Sequence, residues 1–255
     1  MSIEKRSKIN LLMSHMPKNG IMTSSALHQL GISDQLKKTY IKSGWLRNIG
    51  KGAVSRFNEI PSFYSAINAI QNQLHLPIHV GGRSALSLHG RSHYIRLGKE
   101  TFFLFGLKNI KLPLWFKNYT WDPEFIYMTT DFINKNLYTE NITQDGFSIV
   151  VSSLERAIME ALFLIPKYQG TSEAFHLLEG LVDIRPQVVQ ELLENCRSIR
   201  VKRLFLLLAE KANLPCVKDL DLRRINLGTG KLSLAKNGFY NHKYKIVVPK
   251  DLENE

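Results

Sequence analysis

Three features of the sequence predict an α+β protein in two parts. A short N-terminal stretch sets small apolar stripes of helical spacing before a glycine-centred hairpin. Further on, Phe102–Leu107 and Phe147–Val151 are apolar runs of strand length, with Phe125–Met128 a weaker one. From Ser152 to Ala212 the apolar spacing turns helical. Residues 1–61 are expected to form the first unit, and residues 62–255 a larger α+β domain with a helical block. The break falls at Glu59-Ile60-Pro61.

In the first unit Ile9, Leu11, Leu12, Met13 and Met16 fit a helix ended by Pro17 and Gly20. Thr23 or Ser24 caps a second helix that buries Ala26, Leu27 and Leu30, and Gly31 makes the turn. Ser33 is placed to cap a third, its hydroxyl accepting a hydrogen bond from a first-turn amide that has no helical partner. Along that helix Leu36, Tyr40 and Ile41 make one apolar stripe, while Gln35, Lys37, Lys38 and Lys42 point elsewhere. Gly44 closes it. The turn Gly50-Lys51-Gly52 joins Trp45–Ile49 to Ala53–Phe57 as a hairpin carrying Arg47, Lys51 and Arg56. Three short helices followed by a basic hairpin make a winged helix-turn-helix. Ser24, Gln35, Lys37, Lys38, Lys42, Arg47, Lys51 and Arg56 are therefore the candidate DNA-binding residues. Lysines and arginines on these elements neutralise phosphates, and Gln35 is the candidate to reach a base edge, adenine being its best match.

The second part opens with a helix on which Phe63, Ile67, Ile70 and Leu74 share a face, then a short strand at Ile78-His79-Val80. A glycine turn, a short helix and a glycine stop follow over residues 81–90. Ser152-x-x-Glu155 reads as a capping box for a helix that buries Ala157, Ile158, Ala161, Leu162 and Ile165 before Pro166. Next come helices over about Ser172–Leu181, from Pro186 with Val188, Val189, Leu192 and Leu193 inward, and over Ser198–Ala212 with Val201, Leu204, Phe205 and Leu208 inward. Lys243–Val248 is a closing strand.

Charge points to the kind of partner. The net charge is +12 with a pI of about 9.7, which favours an acidic partner, nucleic acid first. Residues 1–61 hold ten Lys/Arg against three acidic residues, and the remaining chain 24 against 19, so the excess is concentrated at the N-terminus. Apolar residues at 44% and charged ones at 22% are ordinary for a globular chain. Cys196 and Cys216 fit neither a zinc site nor a disulfide framework. With no long apolar run and no signal-peptide core, a reducing cytoplasm is the expected compartment.

Enzymatic patterns each fail at a defining position. His75, His79, His89 and His93 cluster, but Gly90 interrupts the last pair and no carboxylate accompanies them, so no metal is expected. Gly228-Thr-Gly-Lys231 lacks the first glycine and the final Ser or Thr of a phosphate loop. Asp219-x-Asp221 lacks the Gly-Ser turn a nucleotidyltransferase needs upstream, and no GxSxG is present. Neither a cofactor nor catalysis is expected.

Four stretches resemble AbiEi-type antitoxins of bacterial type IV toxin–antitoxin, abortive-infection systems. They are SGWLRNIGKGAVSRF (43–57), HVGGRSALSLHG (79–90), SSLERAIMEAL (152–162) and SIRVKRLFLLLAEKANLP (198–215), and GTGKLSLAKNGFYNHKYKIVVP (228–249) has the same look. The order is the expected one over nearly the whole chain. Where Val54-Ser55 follow the wing turn, family members often carry Tyr. The resemblance implies a winged helix that binds inverted repeats upstream of its own operon and represses it. It also implies a C-terminal domain that neutralises a cognate nucleotidyltransferase toxin, with or without a stable complex. Arg83, Arg156, Arg200, Lys202 and Arg203 are the candidate antitoxin surface, a basic patch facing the toxin or the nucleic acid or nucleotide it acts on. Arg156 with Glu160 is an i,i+4 ion pair, and a solvated helix face is the plainer reading of these charges. A stand-alone winged-helix regulator with a ligand- or partner-sensing domain is the alternative function, and a nucleic-acid-processing enzyme the next.

Overall fold

The computed structural model describes residues 3–91, 101–134 and 137–253. In chain order α1 (Ile3–His15), β1 (Ile21–Thr23), α2 (Ser24–Gln29), α3 (Asp34–Lys42), β2 (Leu46–Gly50) and β3 (Ala53–Arg56) come first. α4 (Phe63–Asn68) runs on as a π-helical turn over Ala69–Gln73. Then follow β4 (Ile78–Val80), α5 (Gly82–Leu88), β5 (Thr101–Gly106), α6 (Leu114–Asn118), β6 (Glu124–Thr129), β7 (Thr139–Gln144) and β8 (Phe147–Ser152). Helices α7 (Leu154–Phe163), α8 (Thr171–Glu179), α9 (Pro186–Asn195) and α10 (Ile199–Lys211) precede β9 (Leu232–Ser233), β10 (Phe239–Asn241) and β11 (Ile246–Val248). The fold is α+β, as the sequence predicts.

Two compact units divide the chain. The first gathers Met1–Ile78, Asn109–Glu124 and Asn141–Val150; the second gathers His79–Lys108, Phe125–Glu140 and Val151–Glu255. In the first, Leu12, Met16, Leu27, Ile32, Tyr40, Leu46 and Val54 are buried together as the core of a three-helix unit with a small sheet. That sheet is antiparallel in the order β1-β3-β2, with Met22 opposite Val54 and Leu46 opposite Arg56. β1 carries no readable period at three residues and was not legible from sequence. Its edge is completed by a side chain: Gln73 accepts from the Thr23 amide at 2.8 Å and donates to the Ile21 carbonyl at 2.8 Å. Two residues back in the same π-helical turn, the Gln71 amide group bonds the Ile78 and Val150 carbonyls and the Val150 amide. The wider π turn carries both glutamines toward strand backbone that would otherwise lack partners.

A five-stranded sheet has the strand order β6-β5-β4-β8-β7, with Val80 of β4 opposite Val151 of β8 in parallel register. In the second unit α7 is buried nearly all round, and Ala157, Ile158, Ala161 and Leu162 share a core with Leu192, Leu193, Leu204, Phe205 and Leu208. The expected capping box is corrected here. Ser153, not Ser152, is the N-cap, accepting from the Arg156 amide, while the Ser152 hydroxyl donates to Glu160 and Glu155 binds Arg185. A small sheet of order β10-β11-β9 closes the chain, β9 running parallel to β11. Among the described residues no helix is long and apolar enough to cross a membrane.

Candidate nucleic-acid interface

The first unit builds its exposed basic elements from well-capped local structure. Ser33 accepts from the Leu36 amide at 3.2 Å and fixes the start of α3, as its position predicts. Tyr40 is buried and anchors the helix, leaving Gln35, Lys38 and Lys42 exposed. Lys37 is placed differently. Its ammonium lies 2.7 Å from Asp34 Oδ1 and 2.9 Å from Ser24 Oγ, which ties the start of α3 to the start of α2. The Lys37 hydrogen bond and charge hold the Asp34 carboxyl below its ordinary range. Ser24 thus serves as the acceptor that fixes Lys37.

The hairpin is braced rather than free. Gly50 lies with φ +150° against α6, where an added Cβ would come within 2.7 Å of Trp115 Cβ. On the other side of the turn the Ser24 amide donates to the Gly52 carbonyl at 2.8 Å. Lys51 stays exposed between them. The two hairpin arginines turn to backbone: Arg47 donates to the Glu59 carbonyl at 2.9 Å, and Arg56 donates to the Met13 and Met16 carbonyls and pairs with Glu59. Arg56 therefore closes the last turn of α1, whose terminal carbonyls lack helical donors. Trp45 and Phe57, 48% and 52% exposed, sit opposite each other at the open end of the hairpin, the Phe57 amide donating to the Trp45 carbonyl.

In the second unit three of the five basic residues expected as one surface are buried. Arg156, Lys202 and Arg203 are 3%, 3% and 1% exposed. Arg203 donates to the carbonyls of Leu227, Gly230 and Lys245, and so pins the irregular C-terminal chain onto α10. Arg200 donates to the Ile165 and Phe163 carbonyls, capping the end of α7. Arg83 lies over the Phe103 ring and reaches the Tyr168 carbonyl. Burial lowers the pKa of both Lys202 and Arg200. The patch reading is corrected for Arg156, Lys202 and Arg203, which are buried: irregular backbone needs donors, and the two arginines supply them.

Arg156 belongs to a buried network that sequence reasoning saw only as an i,i+4 pair. Glu160, fully buried, accepts from Arg156 Nε at 2.8 Å, His79 Nε2 at 2.8 Å, the Ser152 hydroxyl at 2.7 Å and the Gly82 amide at 3.0 Å. A carboxylate offers only acceptors, so Nε2 of His79 carries the proton. Burial works to raise the Glu160 carboxyl, but His79 and Arg156 outweigh it and hold it at about 2. Burial lowers the His79 imidazole pKa and keeps the ring neutral, stacked on Phe105. Gly81 is required by close approach, since an added Cβ would fall 2.1 Å from Glu160 Oε2. Arg156 also donates to the Asn134 and Leu137 carbonyls. His89 bonds the Ser152 carbonyl, and His93 lies outside the described residues. Asp221 caps a 3-10 turn and pairs with Arg223.

Comparison with known proteins adds two findings. Residues 5–97 match the family model described as "Transcriptional regulator, AbiEi antitoxin N-terminal domain", and residues 99–249 that described as "Transcriptional regulator, AbiEi antitoxin, Type IV TA system". Among solved structures the chain resembles the RV2827C protein from Mycobacterium tuberculosis, at 12% identity and a TM-score of 0.62, covering 97% of this chain and 92% of that one. At that identity the likeness is one of fold. No curated protein matches the sequence.

Proposed function

The chain belongs to the AbiEi antitoxin family of type IV toxin–antitoxin systems, and from that premise we propose that it is an antitoxin and autorepressor. The winged helix of residues 1–61 binds inverted repeats upstream of its own operon, and residues 62–255 neutralise a cognate nucleotidyltransferase toxin. One observation carries the DNA-binding half of this reading. α3 is capped by Ser33 and anchored by Tyr40, so Gln35, Lys38 and Lys42 are presented to solvent from a fixed helix. Lys38, Lys42 and the wing's Lys51 contact phosphates, and Gln35 reads a base edge. Lys37 acts at one remove, holding α2 and α3 in register, and Arg47 and Arg56 shape the hairpin.

The test is a salt titration of binding to the DNA upstream of the operon. Replacing Lys38 and Lys42 together by Ala lowers the slope of log K against log salt by about 2, close to 0.9 per lost phosphate contact. Replacing Lys37 changes it less. An unchanged slope for the Lys38/Lys42 pair refutes the phosphate roles. Gln35→Ala loses about 1–3 kcal/mol of discrimination at one base pair, and equal losses on cognate and scrambled DNA refute the base contact. For the antitoxin half, co-expression with the adjacent gene is read as colony growth. Rescue by residues 62–255 supports the assignment. A toxic neighbour that the full-length protein fails to rescue overturns it.

A further inference from the structure

Residues 222–250, which form the closing sheet and its loops, contain seven Lys/Arg and not one Asp or Glu. No other stretch of the second unit is so one-sided, and the winged helix does not draw on it. Three of the seven charges are matched by acids from outside the stretch. Arg223 pairs with Asp221, Arg224 with Glu194, and Lys243 with Glu210. Lys231, Lys236 and Lys245 are exposed and meet no carboxylate among the described residues. Three exposed like charges around one small sheet raise the local positive potential, which attracts an anion.

Aromatic rings stand among them. Lys231 Nζ lies 4.7 Å from the centroid of the Tyr240 ring, and the His242 ring centroid is also 4.7 Å from that of Tyr240. Strand β10 is an edge, and Phe239 at its start is 43% exposed. The Leu232 amide donates to the Lys245 carbonyl, which sets Lys245 beside the start of β9 and hence beside Lys231. Lys236 lies in the turn between β9 and β10, three residues before Phe239. An exposed apolar ring at a sheet edge, with cations in the turns that flank the strands, suits a chain that offers both a negative backbone and open base faces. A duplex offers the first and hides the second.

We propose that the β9–β10–β11 sheet binds single-stranded nucleic acid, with Phe239 stacking on a base and Lys231, Lys236 and Lys245 contacting its phosphates. The residues named here are not those of the winged helix, so failure of this proposal would leave the operator-binding reading intact. Binding is measured on the full-length protein by fluorescence anisotropy, using labelled mixed-sequence single strands of DNA and of RNA, about 16 nucleotides long, and a duplex of the same sequence. Phe239→Ala weakens single-strand binding about tenfold, Phe239→Trp retains it, and neither changes duplex binding. The triple variant Lys231→Gln, Lys236→Gln, Lys245→Gln lowers the single-strand salt slope by about 2, at 0.7 per phosphate. Because Phe239 is exposed, its removal leaves the melting temperature near that of the parent; where it does not, the lysine variant decides. No single-strand binding by the parent protein overturns the proposal, as does binding that neither set of variants alters. Equal losses on duplex and single strand overturn it too, and assign the sheet to duplex contact.

Discussion

Glu160 is a residue whose loss should cost this fold heavily for few atoms removed. Its carboxylate accepts four hydrogen bonds, two of them from the buried side chains of Arg156 and His79. Glu160→Gln keeps the shape but replaces one acceptor oxygen by an NH2 group. Either orientation of that amide sets donor against donor, at Gly82 in one and at Arg156 and His79 in the other. It also leaves the Arg156 charge buried, its carboxylate partner gone, a change that costs about 3–5 kcal/mol. A second route gives the same order. Holding the carboxyl at about 2 against 4.5 corresponds to about 3 kcal/mol. Because the folded value is the lower one, that stability is present in full above about pH 4.5 and drains away as the pH falls toward 2. Urea unfolding followed by circular dichroism measures both effects. The expected results are a loss of at least 3 kcal/mol for Glu160→Gln at neutral pH and a shallower acid dependence in the variant than in the parent. A loss below about 1 kcal/mol, within the range of a single ordinary hydrogen bond, refutes the reasoning.

Two further substitutions probe parts of the same argument. Gly50→Ala forces a Cβ within 2.7 Å of Trp115 Cβ, and overpacking of this kind costs about 1–3 kcal/mol; a melting temperature equal to the parent's would show that the hairpin is not braced by α6. Arg203→Lys keeps the charge but cannot span the Leu227, Gly230 and Lys245 carbonyls together. It should destabilise by about 2–4 kcal/mol and raise proteolysis within residues 226–245; protection equal to the parent's there counts against the pinning role.

Local signals carried the fold class and most helices. Ser33 as a cap needs only a hydroxyl before an apolar stripe, and Pro186 at the first turn needs only its missing amide, so both are legible one turn at a time. The buried faces of α9 and α10 repeat at helical spacing and were legible for the same reason. β1 and α6 were not, being too short to show a period. The π-helical turn over Ala69–Gln73 escaped as well, since its apolar spacing continues that of α4.

Charge is where a single chain misleads. Arg156, Lys202 and Arg203 read as solvent-facing because long cationic side chains usually are, yet all three are buried, and the carbonyls of Leu137, Leu227 and Gly230 give two of them backbone partners. Those acceptors sit 19 to 27 residues away along the chain, and no periodicity encodes such a meeting. The same holds for Glu160, whose partner His79 lies 81 residues upstream. What the sequence determined alone was the local order of helices and strands and the excess of positive charge. Which of those charges face solvent, and which are spent holding the backbone together, was decided only by tertiary structure, because burial and hydrogen bonding depend on contacts between segments remote in the chain.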